Sequence, residues 1–137
     1  MAEPSRTGGC LCGGVRFALS EPATAAGYCH CTRCQRRTGA AASVTGRIVP
    51  GSLRVTAGEE HLRDWKPEGG MPKTFCVLCG SGVLARTPEG EWRGVRLGAL
   101  DADPGVRPSF HQFTDYAVAW EAIPDDGLER YPERAPA

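Results

Sequence analysis

The 137-residue sequence predicts a single, mostly β domain. Eighteen glycines and eleven prolines divide the chain into short segments, and several of these segments alternate apolar and polar residues with the period of a strand. No window of about a dozen residues carries the sustained apolar stripe of a long helix. A chain of this length forms one domain and can bury a sizeable core.

Five segments have the length and the alternation of strands. They are residues 15–19, 53–56, 83–85, 95–99 and 117–120. β-branched and aromatic side chains in such short runs favour strands, and the glycines and prolines between them favour turns. We therefore expect short antiparallel sheets.

The remaining segments predict little regular structure. One helical turn is expected over residues 35–38, with Gly39 as its C-terminal cap. Residues 58–73 are polar and contain a proline and two adjacent glycines, so we expect a long exposed loop there. The residues before Thr7 and the proline-rich end from Ile123 onward are expected to lie irregularly on the surface.

Composition excludes several classes of function. Sixteen basic and sixteen acidic residues give zero formal net charge, so no global field attracts nucleic acid or a membrane surface. No apolar run approaches the roughly 18 residues of a membrane span, and the beginning of the sequence lacks the apolar run of a signal peptide. We expect a cytoplasmic protein, in which thiols stay reduced and cysteines serve better as metal ligands than as disulfides.

All seven cysteines fall into three tight groups, and these predict zinc sites. The pair Cys10 and Cys12 can join the distant pair Cys76 and Cys79 in a closed structural site of four thiolates. A glycine follows each pair, where a positive φ lets the chain turn around the ion. Removal of such a zinc ion is expected to unfold a small domain, because its binding energy rivals the stability of the fold.

This grouping leaves Cys29, Cys31 and Cys34 to share a second zinc ion with an open fourth position. An open position is typical of catalytic zinc, and a thiol is the natural visiting ligand because zinc is thiophilic. Arginines close to these cysteines could receive the carboxylates of an acidic thiol, or could simply form a solvated basic face. They are Arg33, Arg36 and Arg37.

Spacing alone leaves other groupings open. His30 could complete a closed site of three cysteines and one histidine, although neighbouring side chains in extended backbone point in opposite directions. Alternatively, Cys31 and Cys34 could form a zinc ribbon with Cys76 and Cys79, which would leave the other three cysteines without a common ion.

Three ordered motifs resemble those of the glutathione-dependent formaldehyde-activating (GFA) family, also described as the CENP-V/GFA domain. They are GCLCGGVRF at residues 9–17, CHCTRCQRRTG at residues 29–39 and FCVLCGS at residues 75–81. The later segment 98–101, together with His111 and Trp120, is similar to the end of the family's domain. The resemblance covers residues 8–132, which leaves residues 1–7 and 133–137 as terminal tails.

The resemblance implies an Mss4-like, or β-tent, fold with a structural zinc held by one set of cysteines and an active-site zinc held by the other. The structural set is Cys10, Cys12, Cys76 and Cys79, and the active-site set is Cys29, Cys31 and Cys34. The implied activity is carbon–sulfur lyase chemistry, which joins a glutathione-like thiol and an aldehyde or splits their S-hydroxyalkyl adduct.

Two further hypotheses follow from the same residues. His111 and Asp101 are candidates for the proton transfer that the chemistry requires, although a lone histidine is more often a structural residue. Instead of an enzyme, the chain could be a non-catalytic zinc module that binds a protein partner, as other proteins of this fold do. The occupant of the fourth position at the three-cysteine site would distinguish an enzyme from a module.

Overall fold

A computed structural model describes residues 4–136 and confirms a mostly β fold. The strands are β1 (Thr7–Gly9), β2 (Arg16–Leu19), β3 (Ala25–Cys29), β4 (Ser43–Arg47), β5 (Leu53–Ala57), β6 (Leu62–Trp65), β7 (Lys73–Cys76), β8 (Gly82–Arg86), β9 (Trp92–Arg96), β10 (Phe110–Gln112) and β11 (Glu129–Arg130). One α-helix, α1 (Thr32–Thr38), and the 3-10 turns Glu59–His61, Leu97–Ala99 and Thr114–Tyr116 complete the described elements.

The strands form two sheets. The smaller sheet has the order β1-β2-β5, and the larger sheet has the order β11-β10-β3-β4-β9-β8-β7-β6. Most neighbours are antiparallel, as expected, but β10 runs parallel to both β3 and β11. This order places the end of β3 between β4 and β10, so residues far apart in sequence surround Cys29.

The core lies on the inward faces of strands from both sheets. Strand β2 alternates as expected, with Phe17 and Leu19 buried and Arg16 and Ala18 half-buried. The most completely buried apolar side chains are those of Val15, Phe17, Val83, Leu84 and Val95. Burial of these side chains is the main stabilisation of the fold, at roughly 1.5–3 kcal/mol each before the entropy of ordering is subtracted.

Several sequence predictions are confirmed. The segments 15–19, 53–56 and 83–85 coincide with β2, β5 and β8. The helix exists and ends where Gly39 takes the left-handed conformation, with φ 66°. It begins earlier than predicted, because Cys31 caps its N-terminus by accepting a hydrogen bond from the backbone N–H of Cys34.

Four predictions of local structure are wrong. The end from Ile123 onward was expected to be irregular, but Glu129–Arg130 forms β11 beside β10. The segment 95–99 divides between the end of β9 and a 3-10 turn. The segment 117–120 is not a strand, since no neighbouring strand pairs with it and Trp120 is exposed. The expected loop 58–73 contains a 3-10 turn and β6, whose backbone pairs with β7 at the edge of the larger sheet.

Strand β6 is not predicted from the sequence because its apolar residues, Leu62 and Trp65, do not alternate with polar ones. Only Leu62 is buried, whereas Arg63 and Trp65 are exposed. An edge strand needs one covered face and one partner, so backbone hydrogen bonds to β7 stabilise it without an alternating apolar pattern.

Among the described residues, no helix combines the length and the apolar character needed to cross a bilayer.

Candidate functional site

Four cysteines from two distant turns meet at one point. Cys10 and Cys12 lie in the turn between β1 and β2, Cys76 ends β7, and Cys79 lies in the turn that leads to β8. Their Sγ atoms all lie within 4.8 Å of one another. Gly13 and Gly80 have φ values of 76° and 78°, as the sequence predicted, and each follows its cysteine pair.

The sulfur geometry of this group fits a tetrahedral zinc ion. The Sγ atoms of Cys10 and Cys12 are 3.5 Å apart, and those of Cys12 and Cys76 are 4.0 Å apart. Zinc–sulfur bonds of about 2.3 Å in a tetrahedron require sulfurs about 3.8 Å apart. Backbone N–H groups of Val15 and Gly14 donate to the sulfurs of Cys10 and Cys12, at 3.2 and 3.4 Å, which is the second layer of contacts that metal-bound thiolates require.

One thiol of the group has a lowered pKa and therefore ionises readily. The Ser81 hydroxyl, 3.2 Å from the sulfur of Cys79, is the main cause that lowers the pKa of Cys79 to about 5. The same hydroxyl oxygen accepts a hydrogen bond from the backbone N–H of Leu11. Ser81 therefore ties the two turns together and stabilises a thiolate between them.

The second group is Cys29, Cys31 and Cys34, whose Sγ atoms also lie within 4.8 Å of one another. Cys29 is the last residue of β3, Cys31 is the N-terminal cap of α1, and Cys34 lies in its first turn. The structure therefore brings Cys31 and Cys34 together with Cys29, and the zinc-ribbon grouping with Cys76 and Cys79 is not observed among the described residues.

The electrostatics of the second group also favour a thiolate. The pKa of Cys34 is lowered to about 5, mainly by hydrogen bonding from Cys29 and also by the Ser43 hydroxyl, Cys31 and the charge of Arg96, which together outweigh burial. Interaction with Cys34 raises the pKa of Cys29 far above its usual value. The Cys34 thiol therefore ionises more readily than that of Cys29, and its negative charge favours binding of a metal ion.

His30 is buried and turns away from the sulfurs. Its Nε2 is 2.9 Å from Nδ1 of His111, and Nε2 of His111 is 2.8 Å from a carboxylate oxygen of Asp126. Because the carboxylate accepts, His111 Nε2 carries the proton in the neutral ring, and His30 Nε2 donates to His111 Nδ1. His30 does not belong to the metal-binding groups, so the alternative with three cysteines and one histidine is not supported.

The two proton-transfer candidates lie in different surroundings. His111 is buried, stacks on Tyr28 with ring centroids 4.7 Å apart, and contacts His30, which lies between Cys29 and Cys31 in the sequence. Asp101 accepts hydrogen bonds from Arg16 and Thr7, and Arg16 is the main cause that lowers its pKa to about 2. Asp101 is therefore ionised at neutral pH and does not fit the role of a proton donor.

A cavity of about 710 Å³ lies beside the four-cysteine turns, and its lining does not include Cys29, Cys31 or Cys34. The end of α1 and the start of β4 line one side of the cavity through Arg37, Thr38 and Ser43. Residues of the four-cysteine turns, including Cys10 and Ser81, line another side. The cavity is large enough for a small peptide-sized molecule.

A second cavity, of about 280 Å³, lies on the histidine side of β3. It is lined by Tyr28, His30 and His111, by small apolar residues of the segment 40–44, and by residues 121–124. The linings of the two cavities share Ala42 and Val44.

Sequence reasoning found the cysteines but missed most of the polar residues around them. Ser43 and Arg96 influence Cys34, and Lys73 interacts with Cys34 and Cys29. All three lie on strands that only the sheet order brings to the site. A local signal existed only for the helix arginines, of which Arg33 donates to the carbonyl oxygen of Glu68, at 2.9 Å, while Arg37 lines the larger cavity.

Comparisons with known proteins identify a matching family and similar solved structures. The family model of the glutathione-dependent formaldehyde-activating enzyme matches residues 5–116. A crystal structure of a Rhodobacter sphaeroides protein is 26% identical in sequence, with a TM-score of 0.54, and the match covers 91% of this chain and 98% of that protein. No curated protein sequence shows a significant match.

Proposed function

Because the chain belongs to the glutathione-dependent formaldehyde-activating family, we propose that it is a zinc-dependent carbon–sulfur lyase. Its reaction joins a glutathione-like thiol and an aldehyde, or splits their S-hydroxyalkyl adduct. The observation that carries this proposal is the division of the seven sulfurs into a group of four and a separate group of three.

The two groups are assigned different roles. Cys10, Cys12, Cys76 and Cys79 would hold a structural zinc, because four thiolates complete a tetrahedral sphere. Cys29, Cys31 and Cys34 would hold the catalytic zinc, since three thiolates leave one position for a substrate. When bound there, zinc supplies a binding position for the substrate sulfur and lowers the pKa of its thiol.

The chain itself holds the three sulfurs and sets their charge. Cys31 is fixed by its capping hydrogen bond, and Cys29 by its pairing with Ser43 in the neighbouring strand. The charge on Cys34 is stabilised by Cys29, Ser43 and Arg96. A site whose ligands are fixed before the substrate arrives reacts without a large reorganisation.

The proposed reaction balances without an oxidant or a reductant. A bond forms between the thiol sulfur and the carbonyl carbon of the aldehyde, and the thiol proton is transferred, directly or through water, to the oxygen that becomes the new hydroxyl group. Cleavage of the adduct reverses both changes.

A second candidate function is a zinc module that binds a protein partner. It is favoured by apolar side chains on the four-cysteine turns, where Leu11 is 87% exposed and Leu78 is 61% exposed. Exposed apolar residues that lie close together are common at protein interaction sites.

The proposal is tested by exchange NMR with ¹³C-formaldehyde, longer aldehydes and a panel of thiols. We expect the zinc-loaded protein to accelerate formation and breakdown of the S-hydroxyalkyl adduct by about tenfold or more over the spontaneous reaction. The variant Cys31→Ser, which removes a ligand of the three-sulfur group, is expected to return the rate to the spontaneous value. Absence of acceleration with every pair of substrates would contradict the lyase and favour the module.

A further inference from the structure

We propose that the smaller cavity is a binding site for a simple phenol, that is, a neutral molecule with one aromatic ring and a free hydroxyl group. The rings of Tyr28, His30 and His111 line this cavity, and none of the seven cysteines belongs to its described lining. The proposal therefore goes beyond the lyase, and it concerns a ligand that is neither a thiol nor an aldehyde.

The size and the surface of the cavity fit a single apolar ring. Its volume is about 280 Å³, whereas an apolar cavity of about 150 Å³ in another protein holds benzene. Three consecutive alanines at positions 40–42 contribute apolar surface, together with Val44, Ile123 and Pro124. A lining of small apolar side chains and aromatic rings suits a flat apolar ligand.

His30 supplies a hydrogen-bond acceptor that has no partner. The residue is only 6% exposed, and its hydrogen bonds within residues 4–136 involve Nε2 and the backbone, but not Nδ1. With the ring proton on Nε2, Nδ1 presents a lone pair. The fully buried side-chain nitrogen and oxygen atoms without a partner in this range are Arg37 Nε and Ser52 Oγ. Nδ1 of His30 is therefore accessible, and the ring that carries it lines the cavity.

The ring of His30 is held in place before any ligand arrives. Its backbone N–H donates to the carbonyl oxygen of Gln112, at 3.0 Å, and its carbonyl oxygen accepts from Nε2 of Gln35, at 2.7 Å. Behind the ring, His111 accepts from His30 and donates to Asp126, at 2.9 and 2.8 Å. An acceptor that is already oriented loses little freedom when a donor binds to it.

The wall formed by residues 121–124 is also fixed, although it contains no helix or strand. Nη2 of Arg130 donates to the carbonyl oxygens of Ile123 and Pro124, at 3.2 and 2.7 Å. The bond between Asp126 and His111 holds the chain just after this wall. The cavity is therefore closed by contacts to its surroundings on this side.

The polar groups of the lining select a neutral donor. Apart from the two histidines, Glu121 is the only charged side chain in the described lining, so an anionic ligand is disfavoured. The unpartnered nitrogen of His30 requires an O–H or N–H donor. A phenol has the donor and no charge, whereas a carboxylate has the charge and no donor.

The site is tested by NMR titration of the zinc-loaded protein with phenol, anisole and benzoate. Anisole keeps the ring but lacks the O–H donor, and benzoate replaces the hydroxyl group by a charge. We expect saturable binding of phenol that is about tenfold tighter than that of anisole or benzoate, because only phenol satisfies the buried acceptor. Nuclear Overhauser contacts should join the phenol ring to the methyl groups of Val44 and Ile123, which line the cavity.

Two histidine variants form a matched pair. His30→Phe keeps a ring in the cavity but removes the acceptor, so phenol should bind only as tightly as anisole, whose affinity should not change. His61→Phe makes the same substitution at a residue that lines neither cavity, and the tenfold preference should remain.

Several results would overturn the proposal. They are equal affinities for phenol and anisole, tighter binding of benzoate, or phenol contacts to Val83 and Leu100 of the larger cavity instead. Should His30→Phe fail to fold, the three ligands and the contacts in the unaltered protein decide the question alone. Turnover of thiol and aldehyde is measured separately, so either proposal can fail without the other.

Discussion

Cys31 combines two roles at a single position. Its sulfur accepts the backbone N–H of Cys34, which caps α1, and it belongs to the group of three thiols. Removing the sulfur would therefore weaken the start of a seven-residue helix as well as the metal group. Serine also caps helices well, so Cys31→Ser separates metal binding from capping better than an alanine would.

Asp101 connects the first strands to the second half of the chain. Its carboxylate accepts from Thr7 in β1 and from Arg16 in β2, and the half-exposed pair with Arg16 lies at the edge of the larger cavity. The contact joins residues 85 or more positions apart in the sequence.

Asp101→Asn is predicted to destabilise the protein at pH 7 by no more than about 1 kcal/mol, because solvent screens the pair. In the folded protein the pKa of Asp101 is lowered from 3.8 to about 2, so its stabilisation is complete above pH 4 and is lost as the pH falls through 2. Urea unfolding of both proteins from pH 7 to pH 3 measures this. A difference between the two proteins that stays constant down to pH 3 would contradict the assignment.

At the residue scale, the sequence was informative wherever chemistry depends on local spacing. Close spacing of the cysteines indicated both groups, and the glycines after the two pairs indicated the turns of the four-cysteine group, since a turn of three or four residues determines their geometry. The contact between His30 and His111 and the approach of Arg96 to Cys34 could not be inferred. Those contacts depend on the register of β10 with β3 and of β4 with β9, which no local pattern reveals.

At the scale of elements, the turn before β6 supports the four-cysteine site. Gly58 has φ 77°, precedes the 3-10 turn Glu59–His61 as its N-terminal cap, and lies against the backbone of Gly14, two residues after Cys12. A Cβ at position 58 would overlap the Gly14 carbonyl oxygen. The segment predicted to be an exposed loop therefore packs against the turn that contains Cys10 and Cys12.

Gly58→Ala is predicted to cost about 2–5 kcal/mol in unfolding free energy, because backbone strain adds to steric overlap. Gly51→Ala is the matched control, since Gly51 has φ 79° but no atom within 4 Å of its potential Cβ. The control should cost only about 1 kcal/mol, from the backbone alone. Chemical denaturation of the two variants measures the difference, and equal losses would show that contact with the cysteine turn does not matter.

Strands that bury apolar side chains could be predicted from the sequence. Strands that depend mainly on backbone hydrogen bonds to a neighbouring strand could not. Strands β2, β5 and β8 bury alternate or consecutive apolar side chains and so leave a pattern in the sequence. Strands β6 and β11 have mostly exposed side chains and depend on backbone partners. The segment 117–120 was wrongly predicted to be a strand from its apolar residues. It follows a 3-10 turn, and no described strand pairs with it.

At the scale of the molecule, the two cysteine groups differ in what they connect. Cys10 and Cys12 follow β1 of the smaller sheet, whereas Cys76 ends β7 of the larger sheet and Cys79 lies in the turn after it. An ion shared by these four residues would fasten the two sheets together. Cys29, Cys31 and Cys34 lie within six residues of the chain, so an ion bound to them would add little to the global fold.

The sequence could predict the fold class and the division of the cysteines, but not the sheet order. The β-rich class followed from short alternating segments, and the four-plus-three division from spacing and family resemblance. The parallel insertion of β10 between β3 and β11 brings His111 to the back of the three-cysteine group. Such a long-range pairing is decided by packing of the whole chain rather than by local propensity.

The most direct test of this account compares Cys31→Ser with Cys79→Ser by zinc content and thermal unfolding. We expect two zinc equivalents in the unaltered protein. Cys31→Ser should lose one equivalent while keeping a cooperative transition, and Cys79→Ser should lose the cooperative fold, because apparent zinc binding energies of about 10–16 kcal/mol rival the stability of the domain. Equal loss of folding in the two variants, or no loss in either, would contradict the division of the seven cysteines into a structural and a catalytic set.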